Sequence, residues 1–476
     1  MFNSSKQAFV AIEIILLNKI GGVIMKLKSV VVFALSVAMA ASVIGCASKI
    51  AVPQASSLGT NKDLPASVTL NITTFRVGTH NAAVAETRYF KEFQEYYNGV
   101  DRQKIILNVE EMPSDSEYYN QLKTRASSNT LPDVFEGNGG VLELAVQNGI
   151  AVDMRKYVDA DPQYKAELGE GAIADGSKWD DGGLYNISYG LQAIGYFYNK
   201  EMYEKAGITV PKTWDEWMSN LEKLKTSGVC KAPISLMTGE NGWTTNLVLA
   251  SIVGTSGEAG NKFMTTKYVK TFTAPEFVNA LEKVQTMLQK YALPDAVGSD
   301  YATAANHFLN KETAIFPNGP WMTPDFSNPE KAAAGFANKV GIALYPEDGS
   351  ISQFERGYSI AKSTSEKEDA AFNFIRFKTN AYGQKIHLED AGVLPLTSKI
   401  EMSAELKEKN PLLVEFVGLL GNIKYKYQTI DVVSYPTSMN AMTTLYPKLA
   451  DGSLSAQAMA KQLDLEAKKD AGYVIK

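Results

Sequence analysis

Two indoles and a set of polar side chains sit where this chain turns rather than where it packs. Trp243 closes a Gly-Glu-Asn-Gly-Trp loop and Trp321 stands in Asn-Gly-Pro-Trp, both at positions where no amphipathic stripe calls for an aromatic ring. Glu240 and Asn241 share the loop of Trp243, Glu136 and Asn138 end an apolar run at Gly139-Gly140, Gln192 begins another such run, and Tyr358 follows Arg356-Gly357. Flat aromatic rings cover apolar C–H faces, while carboxylates, amides and phenols exchange hydrogen bonds with hydroxyls. A pyranose offers both surfaces, so these residue types in a concave site suit carbohydrate binding. Taken singly, Glu136 and Asn138 equally suit a solvated left-handed turn, and the aromatics an ordinary core.

Reactive chemistry finds less support. No G-x-S-x-G, P-loop, H-E-x-x-H or C-x-x-C occurs, nor a G-x-G-x-x-G after a strand. The three histidines, His80, His307 and His387, are widely spaced, which suits helix-surface or packing roles. Asp175 to Gly183, DGSKWDDGG, has the composition of a cation loop but lacks the ligand spacing and closing Glu of an EF-hand, and reads as a turn. No metal and no cofactor is expected. A glycoside hydrolase needs only two carboxylates at the right separation, so among 52 acidic residues that class stays open as the enzyme alternative.

The elements that must position these residues follow from periodicity. Val68, Leu70 and Ile72 alternate as a strand; Ala85 to Tyr97 has helical spacing; Lys104 to Glu111 is a second strand, Tyr118 to Ser127 a second helix, and Leu131 to Phe135 a third strand. That alternation predicts an α/β protein with a parallel sheet and ligands at the carboxyl ends of its strands. Leu191 to Tyr198 reads as a strand buried on both faces. Thr213-x-x-Glu216 then makes a capping box, Trp217, Leu221 and Leu224 share one helical face, and Gly228 is the stop. Thr273-x-x-Glu276 and Ser365-x-x-Glu368 predict two further capping boxes, ahead of core-facing Phe277, Leu281, Val284 and Leu288 and of Phe374 and Phe377.

At 476 residues, 45% hydrophobic and 21% charged, the chain has length for two lobes, each with its own core. Its net charge of −5, without a dense basic cluster, argues against nucleic acid and against adhesion of the folded body to anionic membranes.

The stretch Gly190 to Gly228, GLQAIGYFYNKEMYEKAGITVPKTWDEWMSNLEKLKTSG, resembles the extracellular solute-binding proteins of ABC importers, family 1, the sugar-binding group that includes maltose-binding protein. LPDVFEGNGG (Leu131 to Gly140), FLNKETAIFPNGPWMTPDF (Phe308 to Phe326), RGYSIAKSTSEKEDAAFNFIRF (Arg356 to Phe377) and AGVLPL (Ala391 to Leu396) extend the likeness in the family's order, from about Val68 onward. The resemblance implies an α/β, two-lobed periplasmic-binding-protein fold of type II, with a ligand cleft between lobes joined by hinge crossovers near Tyr189 to Gly195, Pro346 to Phe354 and Leu396. Lobe I is expected at 67–190 plus 350–397, and lobe II at 191–349 plus 398–476. It also implies a carbohydrate ligand, the permease subunits of an importer as partners, a monomer, and no enzymatic activity. Residue by residue, Trp321 matches a stacking tryptophan and Gln192 the place of an acidic sugar ligand, a change that keeps hydrogen bonding and removes charge. Trp243 falls in the loop that supplies an aromatic and an acidic residue, whereas Glu136, Asn138 and Tyr358 rest on neighbourhood. Asp181 to Tyr185 departs from the family, with Gly183 where Lys is common. Few arginines lie near these positions, which argues against a phosphorylated ligand. A polyol or peptide ligand, and a receptor that signals without transport, stay open.

The N-terminal part has its own logic. Lys26 and Lys28 precede an apolar run, Ser29 to Ile44, that ends in Val43-Ile44-Gly45-Cys46, resembling a bacterial lipobox. This predicts a lipoprotein signal peptide over 25–45, a lipidated Cys46, and a Ser-, Ala- and Pro-rich flexible tether over 46–66. Residues 1–24 are expected to be an extension upstream of a true start at Met25. An uncleaved anchor and an ordinary secretory signal are the alternatives. Cys230, the second of two cysteines, is then left without a disulfide partner and reads as an inert thiol.

Overall fold

The computed structural model describes residues 67–470 except 79, 99–103, 138–139 and 398–399, all within one compact unit, Pro53–Lys476. The expectations for the signal peptide, Cys46, the tether and Asn138 lie outside the described residues.

Two sheets organise the unit. The first contains β1 (Ser67–Thr74), β2 (Lys104–Glu111), β3 (Val134–Glu136) and β9 (Tyr358–Ile360), in the order β2-β1-β3-β9. The second contains β4 (Leu191–Asn199), β5 (Ala232–Ile234), β6 (Thr313–Asn318), β7 (Val340–Ala343), β8 (Gly349–Phe354) and β10 (Tyr425–Tyr427), in the order β10-β8-β4-β6-β5 with β7 also on β4. The parallel sheet expected from strand and helix alternation holds only in part. β1 is parallel to β2 and β3, but β9 runs antiparallel to β3, and β4 is antiparallel to β6, β7 and β8. A strand arriving from the other sheet is not bound to the right-handed crossover that makes neighbours parallel.

β4 is the spine of the second sheet. Leu191 to Ile194 pair with β8, while Gly195 to Tyr198 face β6 and Tyr196 to Asn199 face β7. The segments linking the two sheets lie side by side: the Glu355 N–H donates to Gly190 O at 2.9 Å and the Leu191 N–H to Leu394 O at 2.7 Å. Gly190 is required by that closeness, since a Cβ there would lie 2.7 Å from Leu394 O and 2.5 Å from Val393.

Local capping rules met mixed outcomes. Thr213 Oγ1 accepts the Glu216 N–H at 3.2 Å, Gly228 closes that helix at φ 68°, and Trp217, Leu221 and Leu224 are fully buried. Glu216 reaches back to the Lys212 N–H rather than to that of Thr213. The expected box at Thr273 does not form. Pro275 opens the Pro275–Lys290 helix and makes Ala274 its N-cap, while the Thr273 hydroxyl donates to Asp464 at 2.9 Å. At the third site the N-cap is Thr364, and Glu368 accepts from the Ser363 N–H.

Each sheet buries its own core. β1 contributes Val68, Leu70 and Ile72 to a cluster with Tyr89, Phe93, Phe374 and Phe377, and β4 contributes Ile194 and Tyr196 to another with Trp217, Leu281 and Val284. The first core also encloses Lys378, whose Nζ lies 2.7 Å from both Glu86 oxygens, with the two side chains 1% and 3% exposed.

Candidate functional site

The loop after β1, the start of β4, the loop ahead of the Trp243–Gly254 helix and the turn after β6 converge on a cavity of about 460 Å³. Trp321, Trp243, Gln192, Glu240 and Asn241, five of the residues singled out in the sequence, line it. The loops after β1 and β6 lie at carboxyl strand ends, where α/β folds place ligands, and Gln192 joins them because β4 runs antiparallel to β6 and brings its amino end to that side.

The indoles form a corner, with centroids 6.2 Å apart and planes inclined at 48°. Trp243 is pinned by its own loop and by the end of β6: its N–H donates to Asn241 Oδ1 at 3.0 Å, Gly242 adopts φ 64°, which a side chain would resist, and the indole Nε1 donates to Asn318 Oδ1 at 3.3 Å. Glu240 also sits at positive φ, 49°. Burial pushes its carboxyl pKa up, and the nearby Asp115 and Asp300 carboxylates add to that, against the Tyr301 N–H it accepts.

Gln192 is oriented by a relay. The sheet register sets it opposite Gln353, whose Oε1 accepts both the N–H and the hydroxyl of Thr429, at 2.9 and 3.1 Å. Gln353 must therefore donate its Nε2 to Gln192 Oε1, at 2.6 Å. That occupies one lone pair of the Gln192 amide oxygen and leaves its two amide hydrogens to offer to a ligand.

Three expectations need correction or replacement. Glu136 is 4% exposed and does not line the cavity. Its carboxylate is taken by Arg76, with Nε to Oε1 at 2.7 Å and Nη2 to Oε2 at 2.9 Å. Tyr358 is 3% exposed, behind Tyr189, whose ring centroid is 5.4 Å away. Strand-end position puts a residue near a cleft, but the direction of its side chain depends on which sheet face is lined. The scarcity of arginines does not survive folding either, because Arg76 and Arg356 both line the cavity. Each is already matched to acid: Arg76 to Glu136, and Arg356 to Asp431 at 3.4 Å and Asp115 at 3.9 Å.

Other lining residues carried no sequence signal. Glu355 is 8% exposed, and burial raises its pKa against the pull of Arg76 and Arg356. His80, expected on a helix surface or in packing, lines the cleft with its Nδ1 accepting the Ala82 N–H at 3.0 Å. Its proton therefore sits on Nε2 when the ring is neutral. Burial, with Arg76 and Lys331 adding, lowers its pKa to about 3. The other two histidines fit the two expected roles: His307, in the last turn of the Tyr301–Leu309 helix, bridges Glu312 and Asp295 at the surface, and His387 is buried against Tyr89 and Tyr189. Among the described residues no group of His, Cys, Asp and Glu could hold a metal ion.

Comparison with known proteins matches this architecture. The chain is 27% identical over 293 residues to a multiple sugar-binding protein of Streptococcus mutans, an alignment that covers 56% of this chain and 65% of that relative's length. It is 30% identical over 401 residues to a Brucella abortus protein described as a candidate binding protein, covering 79% of this chain and 90% of that one. Among solved structures, a chitin oligosaccharide binding protein superposes with a TM-score of 0.73 at 20% identity, covering 85% of this chain and 99% of that one. A maltose-bound Thermotoga maritima protein gives 0.68 at 19%, covering 84% and 99%. These likenesses establish the two-lobed fold. A family model for bacterial extracellular solute-binding proteins matches residues 88–413, and the chain belongs to that family.

Proposed function

We propose that this protein is the extracytoplasmic solute-binding subunit of an ABC importer, that it captures a sugar or oligosaccharide in the cleft between its lobes, and that it delivers the ligand to the permease without chemical change. The observation that carries the reading is the corner of Trp243 and Trp321 facing Gln192, Glu240 and Asn241 across one cavity: apolar plates beside donors and acceptors. Relatives described as binding multiple sugars and chitin oligosaccharides support the ligand class, and one described as mannitol-binding keeps polyols within the panel to be tested. The lobes comprise 67–190 plus 350–397 and 191–349 plus 398–476, and they close by a hinge at the adjacent crossovers. Cys46 carries the lipid that tethers the monomer to the membrane.

A thermal-shift screen of the chain beginning after Cys46 against mono- and oligosaccharides and polyols tests the ligand class, because a ligand of the folded state raises its melting temperature. A rise with one glycan class, reduced at least tenfold in affinity by Trp321→Ala and with no cleavage products, is the expected result. Cleavage of the glycan moves the protein to the hydrolases. A rise with no sugar or polyol withdraws the carbohydrate assignment. Labelling cells with a palmitate analogue tests the anchor: label absent from the parent chain, or retained in Cys46→Ala, removes it.

A further inference from the structure

The cleft does not end at the tryptophan corner. A second cavity, of about 430 Å³, shares Asp115, Glu240, Asn241, Trp243, Glu355 and Arg356 with the first. These residues come from the start of the Asp115–Ser127 helix, from the loop ahead of Trp243 and from the segment after β8. They form a waist between two chambers of one cleft, each of a size that encloses a small organic ligand.

The far chamber has a platform of its own. Trp179, from the turn that reads in sequence as plain DGSKWDDGG, lines it. That turn is internally braced: Asp181 accepts the Gly183 N–H at 2.9 Å and the Tyr185 hydroxyl at 2.6 Å, and Tyr185 meets the indole edge-on, with centroids 5.8 Å apart. Asn120 and Asn440, on the Asp115–Ser127 and Pro436–Ala450 helices, bring exposed side-chain amides to the same chamber. Its two walls meet across the opening. Tyr268 donates its hydroxyl to Glu143 at 2.7 Å, and Lys267 Nζ lies 5.5 Å from the centre of the Trp179 ring. Tyr268 holds φ 60°, a left-handed conformation that costs free energy for a bulky side chain and is concentrated at ligand clamps.

We propose that the far chamber is a second saccharide subsite, so that the ligand is a linear oligosaccharide with one ring at the Trp243–Trp321 corner and the next beyond the waist, over Trp179. This rests on the carbohydrate reading above. At the waist the Asp115, Glu240 and Glu355 carboxylates accept from hydroxyls flanking the glycosidic linkage, and in the far chamber Asn120 and Asn440 exchange hydrogen bonds with the outer ring.

The test is calorimetric titration of the full-length chain in mild detergent with ladders of chitin, maltose and xylan oligosaccharides from one ring upward. In one ladder the three-ring member is expected to bind about tenfold or more tightly than the one-ring member, a difference of about 1.4 kcal/mol. Trp179→Ala should bring that ratio towards one, with the far-ultraviolet circular dichroism of the parent confirming its fold. Asn120→Ala, an exposed position, should reduce the ratio several-fold and serves if the tryptophan variant fails to fold. Equal affinity along a ladder that binds, or a ratio unchanged in both variants, overturns the second subsite and leaves single-sugar binding standing. Binding to no member of any ladder overturns both.

Discussion

Glu136→Gln separates a residue that holds the cleft wall from one that touches ligand. In the parent chain Glu136 makes two short charge-assisted hydrogen bonds to Arg76, and the two side chains are 5% and 12% exposed. The glutamine keeps shape and one acceptor but strands a buried guanidinium without its counter-charge. Breaking such a pair from one side costs about 3–5 kcal/mol. Glu355, close enough to Arg76 for its own pKa to respond, offsets part of this, so the lower end, about 3 kcal/mol, applies. At roughly 2 °C per kcal/mol for a large domain, the melting midpoint should fall by about 6 °C. Arg76→Met should also destabilise, and the double variant should recover much of the loss because no unpaired charge is left buried, which a double-mutant cycle measures. Differential scanning fluorimetry with and without the sugar found by screening reads stability and affinity together. If Glu136→Gln melts within about 1 °C of the parent yet loses ligand affinity tenfold, Glu136 contacts ligand and the wall-holding role is refuted.

The buried Lys378–Glu86 pair in the first core should behave alike, Lys378→Met costing about 3–5 kcal/mol by urea unfolding. Burial raises the Cys230 thiol to about 11, so little thiolate exists at pH 8 and alkylation by iodoacetamide should be far slower than for a model peptide thiol; equal rates would contradict the burial. His80 has a folded pKa of about 3, depressed from 6.5, so the unfolded chain takes up its proton first. Stability from this residue is present above pH 6.5 and falls by up to about 1.4 kcal/mol per pH unit as acid is added from 6.5 towards 3. The slope should flatten in His80→Gln, and nitrogen NMR should show the His80 ring neutral with its proton on Nε2 at pH 5.

What the amino-acid order determined by itself was whatever depends on neighbours along the chain. The β4 run, the Thr213 cap, the Gly228 stop, the Trp217, Leu221 and Leu224 face, and the loops that carry Trp243 and Trp321 are each written in a few consecutive residues, and each formed. The order of those segments was specific enough to point to the solute-binding family before any coordinates. Tertiary structure decided which side chains meet. Arg76 takes Glu136 from 60 positions away, Gln353 donates to the Gln192 amide oxygen from 161 away, and Asp464 engages the Thr273 hydroxyl from 191 away, where the local pattern predicted a cap. His80 and Trp179 carry no mark in their own neighbourhoods of lying on one cleft, because that depends on how two sheets face each other across three adjacent crossovers. Periodicity reports which face of an element is buried; a hydrogen-bond partner is chosen by whatever distant group the fold brings within about 3 Å.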